Sequence, residues 1–249
     1  MKYIICILSI IICINICYGG TIDPNKKDDL YLRIASKYDC CYRIHAVSKS
    51  NGVSQSTGSC VLIRPNLVMT AAHIPELHKK CNFCIYDNGR KINITKIYVP
   101  KKFDLKKISL NDLAICELSS QASSKPCEIS FIKPRANTQV TIAGYGMIGN
   151  FNTGALKLND DRLRAGFNKI DGYNNHCIIT SAKLGSILTS AEYLIVGGDS
   201  GGGVFLNGKL IAINSYISAK KGSARGYWNN EAGHTSLYYM RDWINTILD

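Results

Sequence analysis

The chain has 249 residues, 46% of them apolar and 19% charged, which supplies a sizeable core and excludes a disordered or coiled-coil protein. Thirty Lys and Arg against 18 Asp and Glu give a net charge of +12. After residue 18 no apolar run approaches the roughly 20 residues that span a bilayer, which excludes a polytopic membrane protein.

Residues 1–19 carry one Lys, a core of apolar residues from Tyr3 to Ile14, and small residues at Gly19-Gly20. That pattern is a secretory signal with cleavage near Gly19. It places the protein outside the cytosol, in the periplasm or extracellular space. Its removal takes away Cys6, Cys13 and Cys17 and leaves Cys40, Cys41, Cys60, Cys81, Cys84, Cys116, Cys127 and Cys177. An even number of Cys in an exported chain points to disulfides, and sequence does not choose among the pairings. Cys81-Asn-Phe-Cys84 with His73 and His78 before it offers one pair of ligands where a structural zinc site wants two, so no metal is expected and this stretch reads as a loop.

Residues 20–33 are polar and charged with one Pro, and read as a flexible leader and propeptide. From residue 42 onwards short β-like runs alternate with Gly, Asn, Pro and Ser. They are Tyr42–Val47, Ser59–Ile63, Leu67–Thr70, Ile92–Val99, Leu113–Leu118, Gln139–Ala143, Cys177–Thr180, Gly203–Leu206 and Lys209–Ile213. Many short strands at close spacing predict an all-β sandwich or barrel. Leu237 to Leu248 differs. Its apolar residues recur close to i, i+3, i+4, i+7 and predict a terminal helix packed by one face. Ser119–Pro126 is the weakest stretch and the expected boundary, dividing the chain into 34–125 and 126–249.

Three segments carry the chemistry: Thr70-Ala71-Ala72-His73, Asn111-Asp112-Leu113-Ala114-Ile115 and Gly197-Gly198-Asp199-Ser200-Gly201-Gly202. Singly each has a bland reading as a turn or core residue. Together, in this order and at separations of 39 and 88 residues, they resemble the chymotrypsin/trypsin-like serine peptidases. Ile142-Ala143-Gly144-Tyr145-Gly146, Ile213-Asn214-Ser215-Tyr216 and the Trp243-Ile244 helix extend the resemblance over roughly residues 34–249.

The resemblance implies two packed antiparallel β-barrels with a short C-terminal helix. It implies a secreted endopeptidase without cofactor, acting as a monomer on protein or peptide substrates, and open to protein inhibitors. Ser200 would be the nucleophile, His73 its base, and Asp112 the group that fixes the imidazole. The backbone N–H groups of Gly198 and Ser200 would form the oxyanion hole. Leu194 would floor the primary specificity pocket, Ile217 would narrow it, and Ser215 and Tyr216 would flank the substrate backbone. This favours a small or medium apolar side chain before the cleaved bond, while His234 near the opposite wall leaves an acidic preference open. A cut after Arg33 by an activating protease would free Ile34 as an ammonium partner for Asp199.

The sequence departs from the family at Ile74, Gly58 and Val196, where the family carries Cys, and at Gly203, where it carries Pro. The alternative reading is a catalytically silent homologue whose Lys pairs bind anionic glycans or membrane surfaces. Those pairs are dispersed and lack interleaved aromatic residues, so nucleic acid is not expected.

Overall fold

A computed structural model describes residues 20–185, 188–219 and 221–249; the predicted secretory signal lies outside these residues. The chain opens with strand β1 (Gly20–Ile22) and helix α1 (Asp28–Ala35). It continues with β2 (Cys41–Ser48), β3 (Ser54–Arg64), β4 (Leu67–Thr70), the short α2 (His73–Leu77), β5 (Cys81–Asp87), β6 (Arg90–Tyr98) and β7 (Ala114–Leu118). Then come β8 (Gln139–Gly144), β9 (Ile148–Asn150), β10 (Gly154–Ala155), β11 (Arg164–Asn174), β12 (Cys177–Ser181) and β13 (Tyr193–Leu194). The chain finishes with β14 (Gly203–Leu206), β15 (Lys209–Ser218), β16 (Glu231–Ser236) and α3 (Leu237–Leu248).

Strands β2-β3-β4-β7-β6-β5 close one barrel and β11-β12-β16-β15-β14-β8 close a second. This is the predicted all-β architecture, and α3 has the predicted bounds. Closure leaves neither barrel with an edge strand that could pair with another chain. The first barrel is filled by Ile44, Val61, Leu62, Val68, Met69 and Ile115, and the second by Val140, Ile142, Ile170, Ile178, Val204 and Ile211, all nearly or fully buried.

Three predicted features change. Cys81–Cys84 is not a loop but the start of β5, with Phe83, Cys84 and Ile85 buried against β2 and β6. Among the described residues no cluster of His, Cys, Asp and Glu could hold a metal ion. The leader reading of residues 20–33 also gives way. Strand β1 is fully buried and lies inside a four-stranded sheet of order β10-β9-β1-β13, parallel to β9 and antiparallel to β13. Nor does the first barrel begin at residue 34, because α1 packs on the second barrel and the strands of the first start at Cys41.

A buried cation fixes α1 there. The Arg164 side chain has no exposed surface and forks onto two carboxylates, Asp28 at 2.6 and 2.8 Å and Asp160 at 2.8 and 2.7 Å. These hydrogen bonds outweigh burial, raising the guanidinium's proton affinity and holding the Asp160 carboxyl far below the usual range. Tyr31, one turn into α1, adds a hydrogen bond from its hydroxyl to Glu192 O at 3.1 Å. Removing Asp28 leaves the buried Arg164 fork half-paired, with Asp160 still bound, at a cost of about 2 kcal/mol. Asp28→Ala is therefore expected to lower the unfolding free energy by about that amount, read from urea titration followed by tyrosine fluorescence.

Candidate active site

His73 stands at the start of α2, directly after β4, where the buried Ala71 and Ala72 bring the chain against the core. Asp112 sits between Asn111, which holds a φ of 59°, and the buried Leu113 that leads into β7. The structure brings the two together across the first barrel. His73 Nδ1 lies 2.8 Å from Asp112 Oδ2, and the His73 backbone N–H donates to Asp112 Oδ1 at 2.8 Å. Two groups of the second barrel reach Asp112, one at its carboxylate and one at its backbone carbonyl. The Ser215 hydroxyl donates to Asp112 Oδ2, and the Thr235 hydroxyl donates to Asp112 O at 3.0 Å. Asp112 has no exposed surface, so these donors stand where water would.

Ser200 follows Asp199 on a tight loop whose conformation depends on glycine. Gly201 has a φ of 84°, and a Cβ there would collide with Ser59 O and Thr70 Oγ1. The Ser200 hydroxyl donates to Ser215 O at 3.3 Å, so in this state it is turned toward the substrate-flanking strand.

The oxyanion loop is held from three sides. Gly197 O accepts from Met147 N at 2.7 Å, and across that trans peptide the Gly198 N–H, on a residue with φ 96°, points the opposite way. Ser59 Oγ donates to Gly198 O at 2.9 Å and accepts from Tyr145 N at 3.0 Å, while Ser59 N donates to Ser200 O at 2.7 Å. A single β3 side chain of the first barrel thereby pins the catalytic loop of the second.

Asp199 supplies the third hold. Its carboxylate accepts from Gly146 N at 2.8 Å, Val196 N at 2.8 Å and the Tyr193 hydroxyl at 2.9 Å. Ile34, the predicted ammonium donor, lies in α1 instead, and Arg33 is exposed on the same helix. In the uncut chain Asp199 is satisfied internally, and the space beside β13 is filled by β1. Thr21 pairs with Leu194 and its hydroxyl donates to Leu194 O at 3.3 Å, while β1 also carries β9, which Met147 precedes. The loop that orients the Gly197 peptide is thus supported by residues 20–22, the stretch a cut after Arg33 would release.

The trypsin family model matches residues 39–244. The chain belongs to the trypsin family. Among solved structures it is similar to neuropsin, a serine protease expressed in the limbic system of mouse brain, with 16% identity and a TM-score of 0.68 over 88% of this chain and 98% of that one. Human heparin binding protein is similar at 17% identity and a TM-score of 0.60 over 86% and 93% of the two chains. At these identities the likeness is one of fold. No curated protein matches the chain in sequence.

Two of the departures from the trypsin family explain each other. Gly58 stands opposite Ile74, and a Cβ on Gly58 would come within 2.6 Å of Ile74 Cδ1 and 2.8 Å of Ser200 O. Where the family's usual Cys pair would cross-link the segment after the catalytic His to β3, an isoleucine fills the glycine's space.

On the substrate side Leu194 is fully buried in β13, and Ile217 packs against the same apolar cluster from β15, opposite Ala232. Tyr216, next to Ser215, lays its ring over Gly233. His234 is not available to an acidic substrate. It is fully buried, Nδ1 lies 2.9 Å from Asn214 Oδ1, and Nε2 lies 2.9 Å from Thr180 Oγ1. Asn214 spends its amide N–H on Ala143 O and Asp199 O, so its oxygen accepts from Nδ1–H and Nε2 accepts from Thr180. Burial lowers the imidazole to about 3, so it is neutral.

The sequence reading missed Ser59, Met147, Tyr193, Thr235 and Thr21. Each acts through a backbone group or a hydroxyl and carries no motif of its own. The sequence signal within reach was the short Gly58-Ser59-Cys60 run, which places a small hydroxyl residue at the strand position facing the catalytic loop.

Burial pushes the Asp199 carboxyl up to about 6 despite its three donors. The folded chain holds this proton more tightly than the unfolded one, whose carboxyl titrates at 3.8, so the residue's contribution to stability falls from pH 4 to 6 and is level above. Relative to Asp199→Asn, the wild type is expected to lose about 2 kcal/mol between pH 4.5 and 7.5 in urea titrations. A trypsin cut after Arg33 is expected to lower fluorophosphonate labelling of Ser200 at least tenfold, because β1 leaves with the released peptide. Intact mass and N-terminal sequencing read both events.

Proposed function

We propose that the protein is an exported serine endopeptidase that hydrolyses peptide bonds through an acyl-enzyme on Ser200. The observation that carries this reading is the Asp112 carboxylate, fully buried and hydrogen-bonded to His73 on one side and Ser215 on the other. A serine hydroxyl is a poor nucleophile at neutral pH and needs a base whose ring is already oriented. With Asp112 holding Nδ1–H, Nε2 is the nitrogen left to take the Ser200 proton and return it to the leaving amine. Negative charge that develops on the attacked carbonyl is met by the Gly198 and Ser200 N–H groups, each worth roughly 3 kcal/mol of barrier. No metal or organic cofactor enters these steps.

Leu194 is fully buried and Ile217 packs on the same apolar cluster, so neither sets a cation or anion near a side chain before the cleaved bond. Small or medium apolar residues are therefore the proposed preference, and neutral His234 removes the case for acidic ones. The enzyme is proposed to work with residues 20–35 retained, once the leader before Gly20 is removed during export. This replaces activation at Arg33, and no activating protease is needed. Among the described residues no helix is long and apolar enough to cross a membrane.

A second reading is favoured by one observation: Lys133 Nζ lies 5.0 Å from the ring centroids of Tyr173 and Tyr239 and 5.8 Å from that of Tyr238. The cation–aromatic grouping absent from the linear sequence is therefore present in space, where an anionic glycan could adsorb alongside catalysis. The other fold relative is, by name, a heparin-binding protein.

Ser200→Ala is expected to abolish peptidase activity on a casein or apolar peptide substrate while leaving the unfolding free energy within about 0.5 kcal/mol. Activity near that of the wild type would overturn the peptidase reading. Retention on a heparin column that is unchanged in Ser200→Ala and lost at about 0.5 M salt would support surface binding as a separate property.

A further inference from the structure

Away from the active site, a cavity of about 530 Å³ opens where the entry to the first barrel meets the inter-barrel linker, lined by Cys40, Lys37, Lys125, Cys127, Glu128 and Lys209. Two thiols face one another there. Cys40 ends the turn before β2, and Cys127 lies 87 residues later on the linker. A single β3 residue holds both backbones: Leu62 N donates to Cys40 O at 2.8 Å, and Cys127 N donates to Leu62 O at 2.9 Å. Between these two anchors both cysteines open onto the same cavity. Cys127 also approaches Glu128 O at 3.4 Å and Gly208 O at 3.5 Å, which brings it to the β14–β15 turn of the second barrel.

The other cysteines do not share this arrangement. Cys60 and Cys116 are sealed in the first core, and Cys177 directs its thiol to Ser109 O. Cys41, adjacent in sequence and paired through its backbone with Val61 in the β2–β3 ladder, is the competing thiol beside Cys40.

We infer that Cys40 and Cys127 form a disulfide that joins the first barrel to the linker running along the second. The inference rests on the export reading only for its setting, because an oxidising compartment supplies the oxidant. The half-exposed Cys127 gives up its proton and attacks a small-molecule disulfide, releasing one thiol. Cys40 then gives up its proton and displaces the second thiol from Cys127. Two protein thiols and one small disulfide become one protein disulfide and two small thiols, with both protons carried away. Hydrogen bonding and burial raise both thiols well above their ordinary range, so the reaction is slow near neutrality and faster at alkaline pH.

The purified reduced protein, incubated at pH 8.5 with glutathione disulfide, then denatured and alkylated with N-ethylmaleimide, tests this by peptide mapping. The expected product is a peptide pair linking Cys127 to the segment holding Cys40, lost in Cys40→Ser and Cys127→Ser and kept in Cys41→Ser. Oxidation should raise Tm by roughly 5–10 °C. Alkylation or glutathionylation of both residues in the folded wild type would overturn the inference, as would a link that survives Cys40→Ser through Cys41. Mapping of the wild type decides the matter even if a variant fails to fold. A protein that oxidises in vitro but is isolated fully reduced from its source would count against export and leave the disulfide standing.

Discussion

The Asp112 carboxylate organises this molecule. A buried anion without partners is costly, and the chain meets the cost with donors from both barrels: the His73 backbone and ring from the first and the Ser215 hydroxyl from the second, while Thr235 ties the Asp112 backbone carbonyl to the same barrel. The cleft is therefore held shut at its base by the same group that orients the catalytic ring. Ser59 repeats the pattern a few ångströms away, and Arg43 does so farther out, reaching from β2 to Tyr145 O at 2.7 Å and Asn159 Oδ1 at 2.6 Å. Inter-barrel packing and catalytic geometry are one set of interactions, so neither barrel is expected to carry a working half-site.

Much of this was legible in the sequence. Leu67–Thr70 and Gly203–Leu206 are strands with the bounds their apolar runs suggest, and α3 follows its 3.6-residue period from Leu237 to Leu248. The three chemistry-bearing segments were visible because histidine after Ala-Ala and serine among glycines are unusual combinations. What stayed hidden was polar structure that is buried. Strand β16 reads Glu-Ala-Gly-His-Thr-Ser, which no hydropathy pattern marks as a strand, yet His234, Thr235 and Ser236 have no exposed surface. The side chains of His234 and Thr235 find their partners in Thr180, Asn214 and Asp112, which lie far away in the sequence.

The N-terminal stretch misled for the same reason. Residues 20–33 are as charged as a linker, but Asp28 is charged because Arg164 is buried beneath it, and Thr21 is polar because Leu194 O needs a donor. Composition sees a solvated segment where the folded chain has complementary groups. Strand β11 escaped as well, since its Asn168 and Gly166 serve close approach to Tyr193 and Ala191 rather than an apolar face.

The contact between Ile74 and Gly58 has a consequence for how the active site ages. A covalent tie beside a catalytic histidine makes its position depend on the redox state of its surroundings, and on the integrity of a bond that thiols can exchange. Here the tie is dispersion between a branched side chain and a bare backbone. Such a contact has no oxidised and reduced forms, is rebuilt whenever the chain refolds, and weakens only as the local core loosens with heat. The segment after His73 is thus held to β3 without a thiol, whereas the proposed Cys40–Cys127 tie at the linker would answer to reductants.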